Sequence, residues 1–423
     1  MTPRTGERAG AKIAGGAAHA LPPMQISDKV ATIPQALSIY INQLVYDLRL
    51  KGEDVITLSL GEAFFDIPLF DFAKLDVVKG YHYSDSQGIP SLRRRIAQFY
   101  EREYATHVDG ASEIMITAGS KPAIYMAMQA ALNPGDEIAI LEPAWLSYQE
   151  QARLTGATVN FVPYDCPIED IARYLTPKTR MLVINNPNNP AGRTYTREEL
   201  EGLYAACRPR GVYILIDEAY SDFVVGEEFW SMARIVPDKD GIIVANSLSK
   251  NFGMSGWRIG YLIAHPAFIG EVLKLNQHLI TCAPTVLLYY LEHYFDDIIS
   301  VTLPQVRQVV EKRNRIARAM DEIGLRRMGG SATFYFFVSL EDFPRSGLEF
   351  ALELLLDHAI SVVPGSAYGA STERFIRVSI GTESEERIAD ALALIHDKIA
   401  GNSPPSPVPL DERLAAKGWK PFR

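Results

Sequence analysis

Lys250 stands in the run Ser247-Leu248-Ser249-Lys250-Asn251-Phe252-Gly253, and Arg258 follows eight residues after it. A neighbouring cation and partial burial lower the pKa of a lysine amine and favour Schiff-base chemistry with a carbonyl. Serine hydroxyls and a planar guanidinium beside it can clamp a phosphate. Four other short stretches offer complementary groups. Asp217 ends an apolar run in Asp217-Glu218-Ala219-Tyr220. A carboxylate there is costly without a partner, and a protonated ring nitrogen would serve, although Asp217 reads equally well as a helix N-cap. Tyr220 lies close enough in the chain to reach the same ligand. In Thr117-Ala118-Gly119-Ser120-Lys121-Pro122, Gly119 permits close backbone approach, and the free amides of Ser120 and Lys121 at a helix start can hold an anion. Glu142-Pro143-Ala144-Trp145 brings an indole, either a platform for an aromatic ring or a core residue. The run Asn185-Asn186-Pro187-Asn188-Asn189-Pro190-Ala191-Gly192 presents amide side chains in what is otherwise a long turn.

The elements that would position these groups follow from hydrophobic periodicity. Residues 33–50 are amphipathic at helical spacing and Gly52 stops them; residues 55–60 read as a strand. Apolar runs then recur at 113–117, 137–141, 181–184, 212–216, 241–245 and 259–264, most of them separated by helical patterns such as 122–132 and 197–207. This alternation predicts an α/β fold with a mainly parallel sheet covered on both faces. No helix-length insert joins the last two runs, so one strand there is expected to be antiparallel. A long helix over 301–323 leads to strands at 333–340, 360–363 and 375–380, with helices at 349–358 and 385–399, the latter capped by Ser384. This smaller α+β unit is expected to pair with the N-terminal segment. The expected organisation is a flexible tail over 1–24, an N-terminal segment over 25–75 packing with the small domain, a large domain over 76–300, a small domain over 301–400 and a tail over 401–423. Ligands of open α/β sheets sit at the carboxyl ends of strands. Singly, each candidate has a plainer reading as cap, core residue, turn or solvated charge. Together, four strand ends offer what one phosphorylated pyridine needs.

Composition narrows the classes. A chain of 423 residues suits two domains. A net charge of −9 argues against a nucleic-acid partner. Cys166, Cys207 and Cys282 are odd in number and far apart, and the eight histidines lack ligand spacing, so neither a disulfide framework nor a metal site is expected. No apolar run approaches a membrane span, and the Ala- and Gly-rich start lacks a signal core. A cytoplasmic setting without a membrane partner is expected. Arg93-Arg94-Arg95 reads as a solvated helix face.

The motifs also resemble a family. Ser247 to Tyr261 looks like the Ser-x-x-Lys … Gly-x-Arg-x-Gly-Tyr signature of class I/II aminotransferases of the aspartate aminotransferase type. Asn185–Gly192 resembles that family's Asn-x-Pro-x-Asn-Pro-x-Gly, and Asp217–Tyr220, Gly88–Arg93 after Tyr83, and Val363–Gly369 match in order, over roughly residues 30 to 400. The resemblance implies a pyridoxal-phosphate-dependent transferase of fold type I, with a mainly parallel seven-stranded sheet in the large domain and a smaller α+β domain. It implies that Lys250 carries the cofactor as a Schiff base and shuttles a proton, that Asp217 partners the pyridine nitrogen, and that Asn189 and Tyr220 donate to the phenolate oxygen. Gly119, the amides of Ser120 and Lys121, Ser247, Ser249 and Arg258 would form the phosphate cup, and Trp145 would stack on the ring. Arg377 would grip the substrate carboxylate beside Gly61, with Trp145 and Asn189 also facing substrate. Tyr83 would reach the phosphate of a neighbouring subunit, which implies a homodimer with shared active sites. The implied activity is transfer of an α-amino group between amino acids and 2-keto acids in amino acid metabolism and biosynthesis. Elimination or ring-forming chemistry on the same scaffold is the alternative. A DNA-binding regulator is disfavoured by the short, simple stretch before Pro34. One departure stands out: Gly61-Glu62-Ala63-Phe64-Phe65-Asp66-Ile67-Pro68 has Ala63 and Phe64 where the family often has Pro and Asp, so the substrate pocket is expected to be apolar or reshaped.

Overall fold

The computed structural model describes residues 24–341, 343–402 and 406–422. Residues 24–33 belong to a unit of their own, with a one-turn helix at Asp28–Ala31. The expected tail over 1–24 otherwise lies outside the described residues. From Pro34 on, a helix at Leu37–Leu50 leads to the short strand β1 (Ile56–Thr57). Seven strands follow: β2 (Ile114–Thr117), β3 (Glu137–Leu141), β4 (Thr158–Val162), β5 (Thr179–Asn185), β6 (Tyr213–Asp217), β7 (Ile242–Ser247) and β8 (Gly260–Ala264). They form one sheet in the order β2-β8-β7-β6-β5-β3-β4.

Only the two pairings of β8 are antiparallel, as the short β7–β8 connection predicts. Successive residues of the central strands bury into opposite clusters: Ile214 and Ile216 lie in one, Leu215 in the other. That is why these strands read as unbroken apolar runs. Periodicity found six of the seven. Strand β4, Thr158-Val159-Asn160-Phe161-Val162, lies at the sheet edge and is mostly half-exposed, so its polar residues hid it.

A helix over Thr285–Glu322 then leaves the sheet. It starts well before the expected residue 301 and breaks helical geometry at Tyr294 (φ −106°, ψ 17°). Leu288, Leu291, Phe295 and Ile298 pack with the sheet, whereas Val306, Val310, Ile316 and Met320 pack in a second core. The expected boundary at 300/301 thus falls inside a continuous helix. Beyond it, β9 (Tyr335–Ser339), β10 (Ile360–Ser361), β11 (Val363–Pro364) and β12 (Phe375–Ser379) follow. Strands β11, β12 and β9 form an antiparallel sheet in that order. Strand β1 pairs parallel with β10, Ile56 facing Ile360, and Ser379 N donates to Leu58 O at 2.8 Å. This pairing carries the N-terminal loop at Ser59–Glu62 beside β12.

Two expectations are corrected. The stretch after Gly401 is not simply a tail: Leu410–Ala416 is helical, and Leu414 and Trp419 bury against Leu37, Tyr40, Leu352 and Leu355. The Pro-rich residues before it masked this apolar pair. Arg93 is not solvated either. It is buried, and its guanidinium donates to the carbonyls of Gly88 (3.1 Å) and Gly110 (2.9 Å), closing the loop before β2. Among the described residues no helix is long and apolar enough to cross a membrane.

Candidate active site

A cavity of about 660 Å³ opens at the carboxyl ends of β5, β6 and β7. Those strands run in register, with Asn185 beside Asp217 and Asp217 beside Ala245. Asp217 is buried; its carboxylate accepts from Tyr148 Oη (2.7 Å) and Ala219 N (3.1 Å). Burial raises its pKa, while these two donors and the charge of Lys250 oppose the rise. Among the described residues no cation forms an ion pair with it, so it suits a cationic ligand atom. Asn185 Nδ2 donates to Asp217 O at 2.6 Å, and Asn185 Oδ1 accepts from Asn189 N at 2.6 Å. The asparagine-rich turn is therefore pinned to the strand ends, and Asn189 faces the cavity.

The second part of the site is a cradle for an anion. Gly119 precedes the Ser120–Ala131 helix with φ +96° and no side-chain cap, leaving first-turn amides for a ligand. A Cβ at Gly119 would lie 2.5 Å from Arg258 Nη2, so only glycine lets that guanidinium approach the helix start. Arg258 itself sits in left-handed geometry (φ 58°), and its Nη1 donates to Ser255 O (2.8 Å) and Ser249 Oγ (3.4 Å). Ser247 Oγ accepts from Ser249 N (3.1 Å) and caps the one-turn helix Leu248–Asn251.

That helix carries Lys250, whose Nζ donates to the carbonyl oxygen of Gly61. Burial lowers the amine pKa to about 8; Arg377 and Arg258 push the same way, and Glu62 and Asp217 oppose. Glu62 also accepts from the Ser255 hydroxyl.

The third part comes from the smaller sheet. Arg377 on β12 is only 5% exposed. Its Nη2 donates to Ser59 O (2.7 Å) and its Nη1 to Asn189 Oδ1 (3.4 Å), whereas its Nε has no partner. The guanidinium lies over the rings of Tyr335 (4.5 Å) and Tyr368 (5.5 Å). Among the described residues no carboxylate pairs with it. A buried, unpaired guanidinium with a donor to spare suits a carboxylate ligand. A Cβ on Gly61 would stand 3.9 Å from both of its terminal nitrogens, so glycine keeps the space beside the fork open.

Gly61, Ser120, Lys121, Trp145, Asn189, Asp217, Tyr220, Ser247, Ser249, Lys250, Arg258 and Arg377 all line this one cavity. Gly119 stands behind Arg258. Tyr83 does not line it and is 85% exposed. Phe64 and Phe65 do not line it either: Phe64 is exposed, and Phe65 packs on Phe223 and over Gly253, where a Cβ would come within 2.5 Å of its ring. The reshaping expected from Ala63 and Phe64 is therefore not seen in the cavity wall. Sequence reasoning missed Tyr148, Glu62 and Tyr335, and it pointed to the amide at the strand end without a role for Asn185. Tyr148 lies three residues past Trp145, in the first turn of the Ser147–Thr155 helix, and Tyr335 sits in Phe334-Tyr335-Phe336-Phe337, which reads as plain core.

An anion cradle, a lone buried carboxylate, an amine of lowered pKa and a facing indole, all in one cavity, fit pyridoxal phosphate. Comparisons agree. The family described as Aminotransferase class I and II matches residues 74–395. The chain is 32% identical over 381 residues to an aspartate aminotransferase of Thermotoga maritima, covering 88% of this chain and 98% of that protein. It is 31% identical over 354 residues to aromatic-amino-acid aminotransferase 2 of Thermococcus litoralis, covering 81% and 91%. Its fold is similar to the solved aspartate aminotransferase of Thermus thermophilus with maleate, at TM-score 0.81 and 28% identity, covering 89% of this chain and all of that one.

Proposed function

The chain belongs to the class I and II aminotransferases, and from that membership we propose how its residues divide the work and which substrates they take. It is a pyridoxal-phosphate-dependent aminotransferase, moving an amino group between an amino acid and a 2-keto acid. The relatives described above are named for transamination.

When bound, the cofactor supplies an electron sink that acidifies the hydrogen on the substrate's Cα. In our reading the first-turn amides of Ser120 and Lys121, with Ser247, Ser249 and Arg258, hold its phosphate. Asp217 holds the proton on its ring nitrogen, Asn189 and Tyr220 donate to its phenolate oxygen, and Trp145 covers one ring face. Lys250 Nζ carries the proton between Cα and the cofactor's C4′; with a pKa near 8 it can both take and return a proton close to neutral pH. Arg377 grips the carboxylate that both substrates share and so fixes Cα beside Lys250. The observation that carries this reading is a complementary mismatch in one cavity: among the described residues, a buried carboxylate without a cation (Asp217) and a buried cation without a carboxylate (Arg377).

The substrate side chain would extend between Trp145 and the face of the Leu37–Leu50 helix that presents Ile39, Asn42 and Tyr46. Lys121 Nζ lies 4.8 Å from the Trp145 ring centroid and offers a cation there, which favours amino acids with an acidic end. We further read the enzyme as a homodimer with shared sites. Phe64, Leu69, Val78, Tyr81 and Tyr83 are all exposed, an apolar stretch that a second copy would cover while Tyr83 reached its partner's phosphate cradle. Its three free thiols suit the reducing cytoplasm.

The test is nitrogen bookkeeping. Holoenzyme given a ¹⁵N-labelled amino acid and then an unlabelled keto acid should return the label in the new amino acid. Label released as ammonia would overturn the assignment.

A further inference from the structure

Tyr335 is fully buried on β9, yet its hydroxyl reaches the cavity wall. Its Oη lies 2.9 Å from Tyr220 Oη and would be the nearest atom, at 3.4 Å, to a Cβ on Gly61. Arg377 sits over its ring. From behind, its carbonyl accepts from Nε of the buried Arg313 (3.1 Å), so the backbone that aims the ring is tied to the long helix. Phe334 and Tyr220 pack against the ring at 4.4 Å and 5.6 Å. The hydroxyl is thus held in place from several sides.

Each phenol in the pair has one proton to donate, and either oxygen could be the donor across the 2.9 Å contact. The two directions have opposite consequences. If Tyr220 donates to Tyr335, its proton is turned away from the cofactor. If Tyr335 donates to Tyr220, the Tyr220 proton is free for a third oxygen, and the donation makes it a stronger donor.

We propose that Tyr335 is a positioning residue of the reaction: it donates to Tyr220 Oη and thereby fixes Tyr220 as the donor to the cofactor's phenolate oxygen. The inference rests on the aminotransferase reading. It adds a residue from the smaller sheet, beneath the carboxylate-binding arginine, to the control of the cofactor's electronics.

The readout is the spectrophotometric pKa of the lysine-bound cofactor in purified holoenzyme, measured without substrate for wild type, Tyr335→Phe, Tyr220→Phe and the double variant. A hydrogen bond to the phenolate oxygen favours its ionised form and lowers that pKa. Tyr335→Phe keeps the ring under Arg377 and should raise the pKa by about 0.5 to 1 pH unit, the scale of one hydrogen bond. Tyr220→Phe should raise it further, and adding Tyr335→Phe to Tyr220→Phe should change nothing more. A wild-type chromophore left unmoved or lowered by Tyr335→Phe overturns this inference alone. So does a shift that survives undiminished in the Tyr220→Phe background, since Tyr335 would then act by another route. A wild type that forms no lysine-bound chromophore overturns the aminotransferase reading and this inference together.

Discussion

The cavity has two ends, each built around a basic side chain partly or wholly withdrawn from solvent, and the protein treats those two groups in opposite ways. At the cofactor end burial brings the Lys250 amine down to about 8, within reach of neutral pH. At the end proposed for substrate Arg377 is more completely buried than Lys250, but a guanidinium does not give up its proton in this range. Instead the fold gives it a carbonyl from Ser59, an amide oxygen from Asn189 and two tyrosine ring faces. On the proposed reading, one end moves a proton and the other holds a charge still. The ends also differ in assembly. The cofactor end uses in-register termini of adjacent strands, β5 to β7, and the helix after β2. The substrate end joins a loop after β1, the asparagine turn, β9 and β12, segments more than 300 residues apart at the extreme, as the Arg377–Ser59 bond shows.

The largest effect should come from removing the moving proton. Lys250→Ala should lower kcat by about 10⁴-fold or more, because both the covalent anchor and the acid–base group vanish. The variant should hold the cofactor only non-covalently, so borohydride treatment should leave no fixed adduct in its mass spectrum. The wild-type apoprotein sharpens the point through pH. The neutral amine is the nucleophile, and a pKa lowered from 10.5 to about 8 makes that form dominant above pH 8. The rate of pyridoxal phosphate capture should therefore climb through about pH 8 and level off. A rate still climbing toward pH 10 would show Lys250 to be an ordinary lysine and dissolve the contrast with Arg377.

Removing the fixed charge's geometry comes next. Arg377→Lys keeps a cation but loses the fork, and kcat/KM should fall by about 10² to 10³, the cost of unmaking a buried, hydrogen-bonded charge pair. Cofactor affinity and the holoenzyme spectrum should stay as in wild type. A comparable loss of cofactor binding would mean that the two ends are one structural unit.

The same contrast explains what could be read from the chain. Asp217, Ser120 and Lys250 lie within a few residues after an apolar run, so strand-end logic finds them, and Arg258 stands out by its spacing from Lys250; the missing insert between the last two runs also anticipates one antiparallel strand there, which is β8. Arg377 was reached through resemblance, because an arginine in a strand reads as surface until its neighbours are known. Tyr335 and Tyr148 were invisible as chemistry, since a tyrosine among phenylalanines, or one on an ordinary helix, differs from core only by where its hydroxyl lands. Edge strand β4 and the docked helix at Leu410–Ala416 were lost for a related reason: each buries too few residues to mark its sequence.

The smallest effect, and the finest cut, falls on Lys121, which belongs to both ends. Its backbone amide lies in the first turn of the helix proposed to hold the phosphate, while its ammonium stands over Trp145 where a substrate side chain would extend. Lys121→Met keeps the amide and the helix and removes only the charge. Cofactor affinity should be unchanged. An acidic amino donor such as aspartate should lose about tenfold in kcat/KM relative to phenylalanine, the scale of one partly solvated charge contact. Equal losses for both donors would take the ammonium out of substrate selection. A fall in cofactor affinity would instead assign it to the phosphate cradle, and the line between the two ends would then run past Trp145 rather than through Lys121.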